Sequence, residues 1–184
     1  GYNPLVISQK SGADYNSGKK EFNVVLMGKK YIVQYPSGNV YDEKYSEVNQ
    51  FAVKTLILRY LIHAKGTSPV GKDINYRDVP GGQVYYRNFY DRCILRLAGM
   101  FGRNIPAFRK AMKNVNGVKT EYGDISYRFQ FLNNIYITFI LWEDNEEFPP
   151  RANILFDVNV PDYFDAEDLA VVGDISLSIL RSFI

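Results

Sequence analysis

The sequence predicts an α+β fold, an antiparallel sheet of about five strands with helices packed on it, in the order ββαααβββα. Three observations predict it. β-Prone runs cluster at residues 22–35 and again at 125–160, helical periodicity fills the chain between them and its last twenty residues, and no βαβ alternation links the two kinds of segment. Strands and helices grouped in this way favour helices on an antiparallel sheet over a doubly wound parallel fold.

Residues 1–20 are polar and glycine-bearing and are expected to form a flexible arm, with 21–184 as a single α+β domain. Residues 22–27 and 31–35 are two β-prone runs separated by Gly28-Lys29, the spacing of a tight hairpin, and Pro36-Ser37-Gly38-Asn39 then turns the chain. Ser46 is expected to cap a helix with Val48, Phe51, Ala52, Leu56, Tyr60 and Ile62 on its apolar face, ending near Gly66. Leu58 and Leu61 widen that stripe, so this helix should be largely buried. Residues 67–83 are rich in glycine and proline and include Pro80-Gly81-Gly82; a loop this long in a compact domain is expected to wrap a groove.

A second helix is read over residues 89–101 and stopped at Gly102. A third starts at Pro106, a residue suited to the first helical position, and ends before Gly117 with Phe108, Ala111, Met112 and Val115 inward. Ile125, Tyr127, Phe129 and Phe131 alternate with polar residues as in a half-buried strand. Asn133-Asn134 reverses the chain into residues 135–142, apolar on both faces and therefore central, and residues 152–160 supply a further strand. Asp165 caps the last helix, with Glu167 and Asp168 in its first turn, where negative charge suits the helix dipole.

Composition bounds the function. The net charge is +2, from 22 basic and 20 acidic residues, so no nucleic-acid partner is expected of a chain without a basic excess. Residues 87–119 are mostly basic and 143–174 acidic, two patches that can steer partners without changing the total. A single cysteine, Cys93, excludes an internal disulfide and a cysteine-built metal or iron–sulfur site within the chain. No apolar run of membrane-spanning length occurs and no leader pattern opens the sequence, so a cytoplasmic location without membrane contact is expected. The 15 Tyr and 12 Phe suit a sheet core whose hydroxyls stay wet.

Candidate chemistry centres on Trp142-Glu143-Asp144-Asn145-Glu146-Glu147-Phe148-Pro149, where a strand pattern ends in four acids within five residues. Asp157 ends the next strand and is expected to lie near. Glu143, Asp144, Glu146, Glu147 and Asp157 offer the oxygen ligands that hard cations need, though the spacing is not that of an EF-hand. A solvated strand end, or pairing with the basic helix at Arg109 and Lys110, accounts for the same acids. Asp157 is no phosphatase nucleophile, since Asn159 stands where a second aspartate is required. His63, the one histidine, cannot build a two-histidine metal site and is left as a lone base or axial ligand. Arg92 is a candidate charge donor to the groove. No P-loop, Gly-x-Gly-x-x-Gly or Gly-x-Ser-x-Gly motif is present.

With Arg59-Tyr60-Leu61, Pro80-Gly81-Gly82, Gly123-Asp124, the Trp142–Pro149 segment and Leu155-Phe156-Asp157 in order, the sequence resembles the domain of unknown function family 3786 from about residue 22 onward. The resemblance implies a prokaryotic protein, mainly of anaerobes. It also implies a link to corrinoid or one-carbon metabolism, because some members carry an added four-cysteine iron–sulfur segment. This chain has no such segment, so an iron–sulfur cluster is not implied here. The expected function is a binding or accessory module for a small molecule or protein, with a groove beside the acidic strand end. Alternatives are a carboxylate-based metal or acid–base enzyme and a corrinoid or tetrapyrrole accessory protein with His63 near the ring.

Overall fold

A computed structural model describes residues 2–144 and 149–184. The chain opens with α1 (Pro4–Ser11) and β1 (Asp14–Asn16), followed by β2 (Glu21–Leu26), β3 (Lys29–Gln34) and β4 (Val40–Asp42). Next come α2 (Phe51–His63), β5 (Asp73–Asn75) and a 3-10 turn (Tyr76–Asp78). A continuous helical run then comprises α3 (Gly82–Phe89), a π-helical segment (Tyr90–Ile94) and α4 (Leu95–Phe101). It leads to α5 (Ile105–Asn114), β6 (Val118–Thr120), β7 (Ile125–Leu132), β8 (Ile135–Trp142), β9 (Arg151–Asp157) and α6 (Ala166–Arg181).

The α+β class holds, but the strands divide between two antiparallel sheets rather than one. A four-stranded sheet has the order β1-β2-β3-β4 and a five-stranded sheet the order β5-β9-β8-β7-β6. The sheets meet where the Met27 N–H donates to the Phe131 carbonyl at 2.9 Å. The β2–β3 turn is Met27-Gly28, with φ of 45° and 82°, one residue earlier than the spacing suggested. Both central residues must be left-handed for the turn to match strand twist, and Gly28 adopts that conformation freely.

Residues 4–11 and 14–16, read from sequence as part of an arm, are helix and strand. Asn3 caps α1 by accepting from the Leu5 N–H, Pro4 opens it and Gly12 closes it at φ 74°. The Tyr60 hydroxyl of α2 lies against the carbonyls of Ser11 and Asn133, tying α1 to the β7–β8 turn. Helix α2 starts five residues later than Ser46, because the chain stays extended there: Tyr41 bridges Glu47, and the Val48 N–H donates to the Val40 carbonyl.

One face of the five-stranded sheet carries Phe129, Ile137, Phe139, Ile154 and Phe156, all buried, and the helices cover it. Helix α6 lies at the centre of that layer, with Leu169, Val172, Leu177 and Leu180 fully buried. Its Gly173 admits the π-helical segment: a Cβ there would stand 2.7 Å from the Cys93 Sγ. Cys93 is fully buried, its thiol donates to the Ala170 carbonyl at 3.3 Å, and burial pushes its pKa up to about 12. It is a core residue and not a nucleophile. Among the described residues no helix is long and apolar enough to cross a membrane.

The start of α3 is set by Pro80-Gly81-Gly82. Gly81 is left-handed at φ 79°, and a Cβ on Gly82 would fall 1.9 Å from the backbone oxygen of Tyr76. Tyr76 is itself fixed by stacking on Phe89 at 3.9 Å and by donating its hydroxyl to the Ala166 carbonyl. Gly82→Ala is therefore expected to lower stability by about 1–3 kcal/mol in urea denaturation, as overpacking against backbone does. Gly99→Ala in α4 has open space and is expected to raise stability by about 0.5–1 kcal/mol.

Candidate functional site

Asp157 does not join the acids that follow β8. β8 and β9 are antiparallel, with Trp142 opposite Arg151 and Ile137 opposite Phe156. Asp157 is therefore level with Tyr136, roughly 20 Å from Trp142 along strands that rise about 3.4 Å per residue. Acids ending two consecutive strands converge in a parallel sheet and separate in an antiparallel one. The Glu143 side chain is exposed, while its N–H donates to Asp124 at 2.8 Å. Asp144 pairs with Arg103 at 2.7 Å, not with Arg109 or Lys110. Glu146 and Glu147 lie outside the described residues, and among those described no three metal-ligating side chains gather.

Asp157 has a structural task. Its fully buried carboxylate accepts from the N–H groups of Val70 at 3.0 Å and Gly71 at 2.7 Å, and from the Arg128 guanidinium at 2.6 Å. Arg128 also donates to Asp73 at 3.0 Å and lies over the Tyr136 ring at 4.8 Å. The triad thus joins β7, β5, β9 and the loop ahead of β5 on the sheet face away from the helices. Burial acts to raise the Asp157 pKa, but the donors from Val70, Arg128, Gly71 and Asn159 outweigh it and hold the carboxyl below the ordinary aspartate range.

The other candidates fall in different places. His63 is exposed at the end of α2 and opens on a groove of about 500 Å³ with Arg59, Lys65, Pro80, Asp162 and Asp168. Arg92 sits in the π-helical segment and pairs with Asp174 of α6 at 3.2 Å, beside Arg96. Neither lines the cavity that contains Trp142.

That cavity is a cleft of about 760 Å³, within the size range of small-molecule sites. Its floor is the outer edge of β9 at Arg151, Ala152 and Asn153, open because β5 pairs only with residues 155–157. One wall is the turn Asn75–Asp78. The other is the helical run, which contributes Tyr86, Tyr90, Ile94 and Ala98, and Trp142 closes one end. The Tyr86 and Tyr90 rings are 5.9 Å apart and half-buried. The Arg77 guanidinium stands 3.7 Å from the Tyr86 ring centroid, and that of Arg151 stands 5.9 Å from the Trp142 ring.

Polar groups in the cleft are ordered. The Ile154 N–H donates to the Asn153 side chain at 2.9 Å, Asn153 donates to Asn75 at 3.3 Å, and Asn75 donates to Asp78. The sequence pointed to Trp142 and to residues 67–83 as a groove border, but not to Arg77, Tyr86, Tyr90 or Asn153. A signal was present: Tyr86 and Tyr90 are four apart, the spacing that puts two side chains on one helical face.

Asp157→Asn is expected to cost about 1–3 kcal/mol at neutral pH, because it leaves Arg128 with Asp73 alone and sets an amide where buried donors meet a carboxylate. A carboxyl with a depressed folded pKa stabilises fully above the unfolded value of about 3.9, and that contribution fades as pH falls through the folded value. Urea denaturation should therefore show a gap between wild type and variant that is wide at pH 7 and narrows below about pH 4. A gap that is equal at both ends of that range contradicts the assignment.

Comparison with known proteins yields a family and no activity. No curated protein and no solved structure matches the chain. The family profile described as Domain of unknown function (DUF3786) matches residues 3–178. That span takes in the cleft, the buried triad and α1, and the chain belongs to this family.

Proposed function

We propose that the domain is a binding module that seats a small molecule in the cleft between β9 and the α3–α4 run. The convergence of Tyr86, Tyr90, Trp142 and Arg77 on an open strand edge carries this reading. Aromatic faces with a few fixed polar groups are the usual make-up of a ligand pocket. The π-helical segment supports it as well, since such segments are frequent at functional sites, and Tyr90 and Ile94 of this one line the cleft.

The described geometry gives the alternatives less support. Asp157 does not join Glu143 and Asp144, since β8 and β9 run antiparallel and end at opposite edges. Among the described residues the carboxylate that lines the cleft, Asp78, accepts from the Asn75 backbone N–H at 3.0 Å. A tetrapyrrole accessory role with His63 near the ring would use a different groove, the one that His63 lines with Arg59 and Asp168.

Native mass spectrometry of protein isolated from an anaerobic lysate tests the reading. The expected spectrum shows a small-molecule adduct that Tyr86→Ala reduces about tenfold and His63→Ala leaves in place. Bare protein throughout, or an adduct indifferent to Tyr86→Ala, contradicts it.

A further inference from the structure

Given a ligand site at this cleft, as proposed above, we infer that it takes a planar aromatic anion whose carboxylate or phosphate is bound by Arg77. The Arg77 guanidinium is stacked on Tyr86 at 3.7 Å, which fixes its plane and leaves its N–H edge for a ligand. Among the described residues it has no carboxylate partner. Arg59, Arg87, Arg92, Arg96, Arg103 and Arg128, by contrast, each pair with an aspartate.

Asp78, the carboxylate among the described residues that line the cleft, does not neutralise Arg77: it is turned to the Asn75 backbone N–H at 3.0 Å. An unneutralised, pre-oriented guanidinium in a partly desolvated cleft suits a carboxylate or phosphate, which it can bind through two parallel hydrogen bonds.

The remaining surfaces specify a flat ligand with a hydrogen-bonding edge. Tyr86, Tyr90 and Trp142 offer ring faces. The Val158 N–H donates to the Lys72 carbonyl on the β5 side, so alternate residues inward along β9 point their N–H groups the same way. At Ile154 that direction is filled by the Asn153 side chain. At Ala152 it faces the cleft, leaving a backbone N–H and carbonyl for a ring heteroatom and its neighbour.

Trp142 is the only tryptophan, so its emission reports the cleft directly. The test is titration of the protein with two matched pairs, benzoate against benzamide and AMP against adenosine. At least one anion is expected to bind about tenfold more tightly than its neutral partner, and the pair that responds distinguishes carboxylate from phosphate. Arg77→Gln should erase that advantage, so that anion and neutral compound bind the variant with equal affinity. Arg77→Lys, which keeps the charge but not the planar fork, should fall between.

Equal affinity of anion and neutral compound, or an anion advantage that survives Arg77→Gln, overturns the anion class while leaving a small-molecule site intact. No change in Trp142 emission with any of the four compounds overturns the planar aromatic class, while the small-molecule reading is decided by the native mass spectrum.

Discussion

The half-buried guanidinium of Arg128, held between Asp73 and Asp157, is the constraint on which the arrangement around the cleft depends. β5 pairs with β9 over only three residues, too few to fix the long connection from α2 by strand pairing alone. The triad supplies the missing attachment: Asp157 gathers the Val70 and Gly71 N–H groups, and Asp73 at the start of β5 meets Arg128 from β7. Withdrawing these charges from water, Asp157 fully and Asp73 and Arg128 in part, carries a desolvation cost, so their net contribution to stability is small compared with their effect on geometry. What they fix is the exit of β5 at Asn75, and so the turn that forms one wall of the cleft.

The opposite wall is fixed by packing. Gly82 lets the first turn of α3 rest on the Tyr76 carbonyl, and Gly173 lets the π-helical segment rest on α6. Side chains four apart drift by about 40° per step around an α-helix of 3.6 residues per turn. The wider π turn takes part of that drift back, so Tyr86, Tyr90, Ile94 and Ala98 all reach one cavity. A strained helical geometry and a tyrosine-rich face thus have one explanation. The cost of each is offset by the buried contacts of Tyr76, Phe89 and Cys93 beneath.

Much of the fold was legible because its signals are local. Asn133-Asn134 between two β-patterned runs, Pro106 at a helix start and Asp165 ahead of an apolar helical stripe each act within a few residues, and the structure has them in those roles. Asn3-Pro4 and Gly12 were equally local marks of α1, overlooked because the intervening residues lack an apolar stripe. β4, β5 and β6 were illegible for a different reason: a three-residue strand has no period to read, and its partner alone defines it. The candidate site failed on direction. Asp157 and Glu143 end consecutive strands, but whether such ends meet depends on parallel or antiparallel pairing, which the antiparallel expectation had already decided against. Arg77 on Tyr86 joins a turn to a helix across a bend, a contact that composition and spacing do not encode.

Nitrogen-15 correlation spectroscopy tests the central claim most directly, because the single indole N–H of Trp142 gives one resolved signal. On adding the ligand released from native protein, the Trp142 indole and the backbone signals of Tyr86, Tyr90 and Ala152 are expected to move together, with His63 and Phe164 unmoved. Shifts centred on His63 and Phe164, with the indole signal unchanged, would place the site in the other groove and contradict the account.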